Sequence, residues 1–170
     1  GDDCDADWDG DGDPNETDCA PRDPAVFHGQ VEACNGLDDD CDAQTDEEGA
    51  SGCSLYFWDE DGDGYGVTLQ KCLCAPEGAY RAVRAGDCND QDAEVNPGMV
   101  EVCGNGKDDN CNGSENDEGA LGCVYFYEDL DSDGWGTGVG KCLCYSQGDL
   151  TAKKSGDCDD QDPERNPGLN

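Results

Sequence analysis

Hydrophobic residues in this chain occur in short runs separated by long polar stretches. The clearest runs are residues 55–58 and 124–127, both rich in aromatic side chains. Short runs of this kind, bounded by acidic residues and glycines, are typical of β-strands. Further strands are predicted through the two Cys-Leu-Cys segments, at 72–74 and 142–144, and at 80–84. No long stretch carries a helical period, so we expect mostly loops and short antiparallel β-strands with little helix.

The same pattern recurs 70 residues further along the chain. Cysteines, aspartates and glycines return in register, so that Cys53 and Cys72 correspond to Cys123 and Cys142. Self-similarity at a fixed period indicates a repeat protein. We predict a truncated first repeat at residues 1–52, a complete central repeat at 53–122 and a truncated third repeat at 123–170.

The hydrophobic core that this sequence can form is small. Its 170 residues include 9 Leu, 9 Val, 3 Phe and no Ile, and 43 acidic against 9 basic residues give a net charge of -34. This composition otherwise predicts disorder, because little apolar area is available to offset chain entropy. Cysteines and cation-binding carboxylates are the remaining stabilisers. We therefore expect a small, disulfide-rich, metal-stabilised repeat protein with a minimal hydrophobic core.

The 14 cysteines predict a disulfide framework and an oxidising compartment, so we expect an extracellular or cell-surface protein. The simplest pairing closes each repeat internally, with Cys4–Cys19, Cys34–Cys41 and Cys103–Cys111. The Cys-Leu-Cys cysteines would then each pair with one of the remaining four, which are Cys53, Cys88, Cys123 and Cys158. Spacing alone leaves the connectivity open.

The composition also disfavours several functional classes. An acidic surface repels nucleic acid and anionic membranes, and no apolar run approaches the roughly 20 residues of a membrane span. We interpret His28, the single histidine, as a turn residue, and we expect no enzymatic activity because catalytic pairs and phosphate loops are lacking. The start at Gly1, without Met or signal peptide, suggests a mature product or a fragment.

Three segments have the spacing Asp-x-Asp-x-Asp-Gly, which suits calcium. Calcium takes six to eight oxygen ligands, and glycine at the sixth loop position permits the sharp turn. An acid at position twelve closes an EF-hand loop, and in the first segment that acid is Asp18. Asp87 and Asp157 lie 28 residues after the first Asp of their segments, so we infer a 17-residue excursion before the closing ligand. The predicted ligand sets are Asp7, Asp9, Asp11 and Asp18; Asp59, Asp61, Asp63 and Asp87; and Asp129, Asp131, Asp133 and Asp157.

Two further groups of acidic residues are candidate ligands. Loops of a second type enclose a cysteine, Cys41 or Cys111, and a third group follows each Gly-Asp-Cys position. One ion per cluster would give up to about eight calcium ions. The second type comprises Asp38, Asp40, Asp42 and Asp46, and Asp108, Asn110, Asn112 and Asp117; the third group comprises Asp23, Asp90, Asp92, Asp160 and Asp162.

A longer pattern resembles the "putative metal-binding motif" repeats named after the copper-binding protein MopE. The matching strings are Gly86-Asp87-Cys88-Asn89-Asp90-Gln91-Asp92, Asn96-Pro97-Gly98, Glu101-Val102-Cys103, Asp108-Asp109-Asn110-Cys111 and Asp117-Glu118. The resemblance implies an exported bacterial protein with calcium-type sites, often arranged in tandem in stalks or adhesins. The acidic loops are also similar to thrombospondin type 3 repeats. The copper function carries over poorly, because copper favours imidazole and soft sulfur ligands and the chain has one His and one Met.

These features together predict an extracellular calcium-binding structural protein, a rigid spacer, stalk or filament subunit. The alternatives are a calcium-dependent adhesion or ligand-binding module and, ranked lower, a copper-binding protein. Head-to-tail self-association is expected, because Asn170 followed by Gly1-Asp2-Asp3-Cys4 would rebuild an acidic loop like that around Cys41. Tandem copies within a longer chain are an equal alternative.

Overall fold

The structure, a computed structural model, describes residues 5–169 and contains nine short β-strands and no helix in that range. The strands are β1 Ser54–Trp58, β2 Tyr65–Gly66, β3 Gln70–Leu73, β4 Tyr80–Ala82, β5 Arg84–Ala85, β6 Val124–Glu128, β7 Trp135–Leu143, β8 Leu150–Ala152 and β9 Lys154–Ser155. The prediction of a mostly irregular chain with short strands is confirmed. Accordingly, no helix within residues 5–169 is suited to crossing a membrane.

The chain divides into two compact units, Gly1–Gly86 and Asp87–Asn170, called here the first and second unit. In the first unit the aromatic strand β1 is central to an antiparallel sheet of order β3-β1-β4. Trp58 on β1 pairs with Tyr80 on β4, and their rings meet edge to face with centroids 5.3 Å apart. Strands β2 and β5 form a separate parallel pair.

The second unit repeats this arrangement with one continuous strand in place of two. Its sheet has the order β8-β6-β7-β9, and the nine-residue β7 covers the positions of both β2 and β3. The end of β7 pairs with β6 in antiparallel fashion, while its start pairs with β9 in parallel, Trp135 opposite Lys154. The aromatic run in each unit thus forms the strand around which the others assemble.

A glycine is required where the chain passes closest to the aromatic strand. A Cβ atom on Gly66 would collide with the carbonyl oxygen of Trp58, and one on Gly136 would lie 2.5 Å from the carbonyl oxygen of Glu128. Only glycine allows so close an approach. These contacts bring the end of an acidic loop back beside the strand that leads into it.

The interior contains as many acidic residues as apolar ones. Among the described residues, nine apolar side chains are buried, and they are Val26, Ala50, Leu73, Ala82, Val95, Ala120, Phe126, Leu143 and Ala152. Nine acidic residues are buried as well, namely Asp18, Glu32, Asp39, Asp59, Asp87, Glu101, Asp109, Asp129 and Asp157. The minimal hydrophobic core is confirmed, and the fold must accommodate buried negative charge.

Six disulfides join twelve of the thirteen described cysteines in a pattern that is the same in both units. They are Cys19–Cys41, Cys34–Cys74 and Cys53–Cys72 in the first unit, and Cys88–Cys111, Cys103–Cys144 and Cys123–Cys142 in the second. The predicted bonds from one Cys-Leu-Cys cysteine to Cys53 or Cys123 are confirmed. The predicted local bonds Cys34–Cys41, Cys103–Cys111 and Cys4–Cys19 are wrong, and so is the pairing of Cys88 and Cys158 with Cys-Leu-Cys cysteines.

The backbone explains why the local pairing fails. Cys41 has a left-handed backbone, with φ of 59°, and its sulfur accepts a hydrogen bond from the Cys19 amide at 3.2 Å. The Asp39 carboxylate occupies the inside of the loop, where it accepts hydrogen bonds from Ala33 N and Asn35 Nδ2, both at 3.0 Å. A parallel bridge between Ala33 and Ser51 lays this segment beside the β1–β3 hairpin. Cys34 therefore reaches Cys74 instead.

Candidate metal centres

The Asp-x-Asp-x-Asp-Gly segments with the residue that follows each, 7–13, 59–65 and 129–135, are called here Gly loops. The first of them, residues 7–13, is held in shape by its own aspartates. Asp7 Oδ1 accepts a hydrogen bond from Gly10 N at 2.8 Å, and Asp7 Oδ2 accepts one from Gly12 N at 3.1 Å. Gly12 has a φ of 102°, which is open to glycine and strained for other residues. The loop thereby brings carboxylate oxygens of Asp7, Asp9 and Asp11 within 4.8 Å of one another.

Asp18, in the Thr-Asp-Cys string that corresponds to the later Gly-Asp-Cys strings, adds its charge to this group. Asp18 is 8% exposed, and its Oδ1 accepts a hydrogen bond from Ala20 N at 2.7 Å. Its Oδ2 is buried without a hydrogen-bond partner in the described part of the chain, as are Oδ2 of Asp9 and Oδ2 of Asp11. Burial raises the pKa of Asp9, and the carboxylates of Asp11, Asp18 and Asp7 raise it further. Buried carboxylates of this kind are stabilised by a bound cation.

The second unit builds an equivalent centre from the loop 129–135. Asp129 is 7% exposed and accepts a hydrogen bond from Gly134 N at 3.2 Å. Asp157 is 9% exposed, and its Oδ2, like that of Asp131, is buried with no hydrogen-bond partner among residues 5–169. Burial raises the pKa of Asp131, and the carboxylates of Asp133, Asp157 and Asp129 add to the effect. The closing aspartate therefore lies beside its loop in this unit also.

The chain returns to this loop through strand pairing. Asp157 N and Gly156 N both donate to Gly136 O, at 3.2 and 3.0 Å, at the end of the parallel β7–β9 pair. The predicted disulfide between Cys158 and a cysteine of the Cys-Leu-Cys segment would also have brought Asp157 back to the loop, but Cys158 is an exposed free thiol. The excursion is instead anchored by β9, the strand at its end, which pairs with the start of β7.

The remaining Gly loop, residues 59–65 of the first unit, has the same internal geometry. Asp59 is only 2% exposed and accepts hydrogen bonds from Gly62 N at 2.6 Å and from Gly64 N at 3.3 Å. Arg81 Nε lies 3.5 Å from Asp59 Oδ2 and offsets part of its charge. The predicted closing residue, Asp87, belongs to the second unit, where it is 8% exposed and accepts a hydrogen bond from Asn89 N at 2.8 Å. The shared ion of Asp59, Asp61, Asp63 and Asp87 stays a prediction.

The loops of the second type, called here Cys loops, span residues 38–47 and 108–117. In the first, carboxylate oxygens of Asp38, Asp40 and Asp42 lie within 4.8 Å of one another. Asp38 also accepts hydrogen bonds from Asp42 N at 3.1 Å and Ala43 N at 3.0 Å, which fold the loop around these side chains. Their convergence suits one cation.

Asp46 has a different role from these three aspartates. Its Oδ1 accepts hydrogen bonds from Asn35 N and Gly36 N, each at 3.0 Å, so it joins two segments of backbone. The 70-residue offset that relates Cys41 to Cys111 makes Glu47, rather than Asp46, the equivalent of Asp117. Glu47 Oε2 is buried with no hydrogen-bond partner in the described range. Glu47 is absent from the ligands predicted above, although its 70-residue offset from Asp117 identifies it as the equivalent position.

The second Cys loop carries two amides where the first carries carboxylates. Asp108 accepts hydrogen bonds from Asn112 N at 3.1 Å and Gly113 N at 2.7 Å. The side-chain nitrogens of Asn110 and Asn112 donate to Asp117 Oδ2 at 2.6 and 2.5 Å. A half-turn of each amide would present oxygen to a cation. This loop therefore has the same donor positions with less negative charge.

The third predicted group serves mainly to fix turns. Asp92 lies 2.5 Å from Lys107 Nζ, and the Oδ1 atoms of Asp23 and Asp162 accept hydrogen bonds from backbone amides two residues ahead. Asp160 accepts hydrogen bonds from Leu130 N at 3.1 Å and Thr137 Oγ1 at 3.4 Å, which ties it to the loop 129–135. Asp90 is half-buried in the second unit.

His28 is held by an aspartate at the seventh position of the first Gly loop. His28 Nδ1 lies 2.5 Å from Asp13 Oδ2, which also accepts a hydrogen bond from His28 N at 3.0 Å. This hydrogen bond raises the pKa of His28, and His28 lowers the pKa of Asp13. The ring is therefore engaged in a turn contact, as expected for a turn residue.

Comparison with known families agrees with the repeat found in the sequence. Residues 18–47, 87–117 and 157–170 match the family Cu-binding MopE, described as a "putative metal-binding motif". Three segments of the chain, the last of them short, are therefore similar to this metal-binding motif. The matched segments include the closing aspartates and both Cys loops, and they leave out the three Gly loops. Neither a curated protein nor a solved structure gives a significant match.

Proposed function

We propose that this protein is an extracellular calcium-binding structural repeat protein whose acidic loops fold around calcium. The proposal is carried by one observation: Asp18 and Asp157 each have a buried carboxylate oxygen that has no hydrogen-bond partner among residues 5–169. Asp18 and Asp157 each stand at the closing position of an Asp-x-Asp-x-Asp-Gly loop. The loops contribute further buried carboxylate oxygens, on Asp9, Asp11 and Asp131. Buried anionic oxygens that converge at this spacing require a cation, and hard oxygen donors favour calcium.

The donor chemistry argues against copper as the resident metal. Copper prefers imidazole, thiolate and thioether ligands. His28 is bound to Asp13, and 12 of the 13 cysteines within residues 5–169 are in disulfides. The candidate centres offer carboxylate, amide and backbone oxygens. The disulfides in turn support an extracellular or cell-surface location, since such bonds persist in oxidising compartments.

Metal analysis of the purified protein tests the proposal. We expect several equivalents of calcium per chain after exhaustive dialysis against low-calcium buffer, with copper below one equivalent. Calorimetric titration of the chelator-treated protein should show calcium binding and weaker magnesium binding, because magnesium demands near-ideal octahedral geometry. Retention of stoichiometric copper without calcium would overturn the proposal.

We further propose that copies of this chain associate, as a head-to-tail assembly. Support comes from Cys158, which is exposed and free although the equivalent Cys19 and Cys88 are bonded to the cysteine of a Cys loop. A cysteine in an acidic segment of another copy could complete the same arrangement. Non-reducing electrophoresis with and without calcium tests this, with Cys158→Ser as the variant. Monomers under all conditions would contradict covalent association.

A further inference from the structure

A buried glutamate lies at the base of each Cys loop. Glu32 is 8% exposed and Glu101 is 1% exposed, and both stand two residues before a disulfide cysteine, Cys34 or Cys103. A buried carboxylate needs an opposite charge or full hydrogen bonding. No lysine or arginine in the described range forms an ion pair with either glutamate.

Backbone hydrogen bonds satisfy these two carboxylates unequally. Glu32 accepts three backbone hydrogen bonds, from Asp39 N at 2.6 Å, Asp40 N at 3.0 Å and Asp46 N at 3.1 Å. Glu101 Oε2 accepts a hydrogen bond from Asp109 N at 3.1 Å, but Oε1 is fully buried and has no partner within residues 5–169. The second unit thus leaves a buried anionic oxygen without a donor in the described part of the chain.

Other oxygens converge at the same place. Oxygens of Glu32, Asp40 and Glu47 lie within 4.8 Å of one another, and Glu47 Oε2 is another buried oxygen without a partner in the part of the chain that is described. Two ligands of one calcium ion, each about 2.3–2.6 Å from it, can be up to roughly 5 Å apart. Asp40 also belongs to the group with Asp38 and Asp42. It therefore stands between two groups of oxygens.

We propose that the buried glutamate of each Cys loop is a cation ligand and that each loop holds a second, interior cation position. In the first unit the ligands are Glu32, Asp40 and Glu47, with Asp40 bridging to an ion held with Asp38 and Asp42. In the second unit the equivalent ligands are Glu101, Asn110 and Asp117. The inference rests on the proposed calcium function, and the ion it assigns is a divalent cation of the calcium type.

The charges of the two loops predict unequal affinities. In the first unit the two cation positions are lined by five carboxylates, counting Glu32 at the base of the Cys loop. In the second unit they are lined by three carboxylates, counting Glu101, and by two amides. Affinity of a calcium site rises with the number of charged ligands when the geometry is similar. The interior position of the first unit should therefore fill at a lower calcium concentration than that of the second.

The test is the number of calcium ions bound per chain, measured by calorimetry and by metal analysis on the full chain. Glu47→Gln should remove one ion or weaken one site at least tenfold, and Glu32→Gln should do the same. Glu48→Gln is the matched control, because Glu48 is the exposed neighbour that pairs with Lys71. Glu101→Gln tests the second unit, with exposed Glu115→Gln as its control.

Folding is checked by mass analysis of the disulfides and by circular dichroism in saturating calcium. If Glu32→Gln fails to fold, Glu47→Gln decides, because no backbone donor in the described range depends on Glu47 Oε2. Folded Glu47→Gln and Glu101→Gln proteins with unchanged ion number and affinity would overturn the interior position. A wild-type chain that binds no calcium at any site would instead overturn the proposed function.

Discussion

At the scale of single residues, the closing aspartates Asp18 and Asp157 distinguish a metal centre from a solvated acidic loop. A surface carboxylate is satisfied by water, whereas both of these are more than nine-tenths buried and retain an oxygen without a partner in the described range. Asp18 stands at the twelfth position of its own loop, whereas Asp157 returns to its loop only after a 17-residue excursion that must fold to bring it into place. Substitution of these residues should therefore affect calcium binding strongly.

We expect Asp18→Asn and Asp157→Asn each to weaken one calcium site by at least about tenfold, equivalent to about 1.4 kcal/mol of binding free energy. The reason is the loss of one negative charge from a site with few ligands. Titration calorimetry measures the change. Asp23→Asn is the matched control, since Asp23 is exposed and its Oδ1 accepts a hydrogen bond from the Ala25 amide. Equal effects of Asp18→Asn and Asp23→Asn would contradict the assignment.

The Asp13–His28 pair predicts a pH dependence. The pKa of Asp13 is lowered and that of His28 is raised by their contact, so the pair is formed between these two values. Its contribution to stability is fully present just below the ordinary pKa of His28 and is lost as the pH rises through the raised pKa of His28. At low pH the contribution is lost again, because Asp13 becomes protonated. NMR titration at fixed calcium should give a higher His28 pKa in the wild type than in Asp13→Asn. Equal values in the two proteins would show that the pair does not form in solution.

At the scale of elements, the strands could be predicted from the sequence, whereas the disulfides could not. The aromatic runs at 55–58 and 124–127 carry a local signal, and β1 and β6 form there. The bond Cys34–Cys74 depends on the bridge between Ala33 and Ser51, which joins residues that share no sequence pattern. Glu32 and Glu101 were missed for a similar reason, since an isolated glutamate before a cysteine resembles any surface acid until burial is known.

The close approach of Gly136 on β7 to the aromatic strand β6 gives a prediction at this scale. Gly136→Ala would place a methyl group 2.5 Å from the Glu128 carbonyl oxygen and 2.7 Å from Tyr127 Cβ. We expect a loss of about 1–3 kcal/mol or more in unfolding free energy, as for other overpacked positions. Thermal unfolding in saturating calcium measures it. Gly138→Ala, on the same strand with open space around it, should cost only about 1 kcal/mol for its left-handed backbone. A larger loss for Gly138→Ala than for Gly136→Ala would contradict the close packing described here.

At the scale of the whole molecule, repulsion between carboxylates is the main force that opposes a compact fold. The chain carries a net charge of -34, and the nine buried apolar residues in its described part are matched by nine buried acidic ones. About eight calcium ions would add roughly sixteen positive charges, about half of what neutrality requires. Six disulfides restrict the unfolded chain but do nothing to reduce the repulsion. Cations are therefore the component that should decide whether the chain is compact.

Removal of calcium should greatly loosen or unfold the chain while its disulfides stay intact. Buried carboxylates at the Gly loops and Cys loops would repel one another once the cations leave, and the small apolar core offers little resistance. We expect a larger hydrodynamic radius and a loss of strand signal in circular dichroism on addition of chelator, with recovery when calcium is restored. Excess magnesium is the control, because it screens charge comparably without matching the calcium geometry. A radius that is unchanged in chelator, with metal analysis verifying that the calcium is gone, would show that the disulfides alone maintain the fold. That result would remove calcium from the structural role proposed here, since a cation that can leave without effect does not hold the acidic interior together.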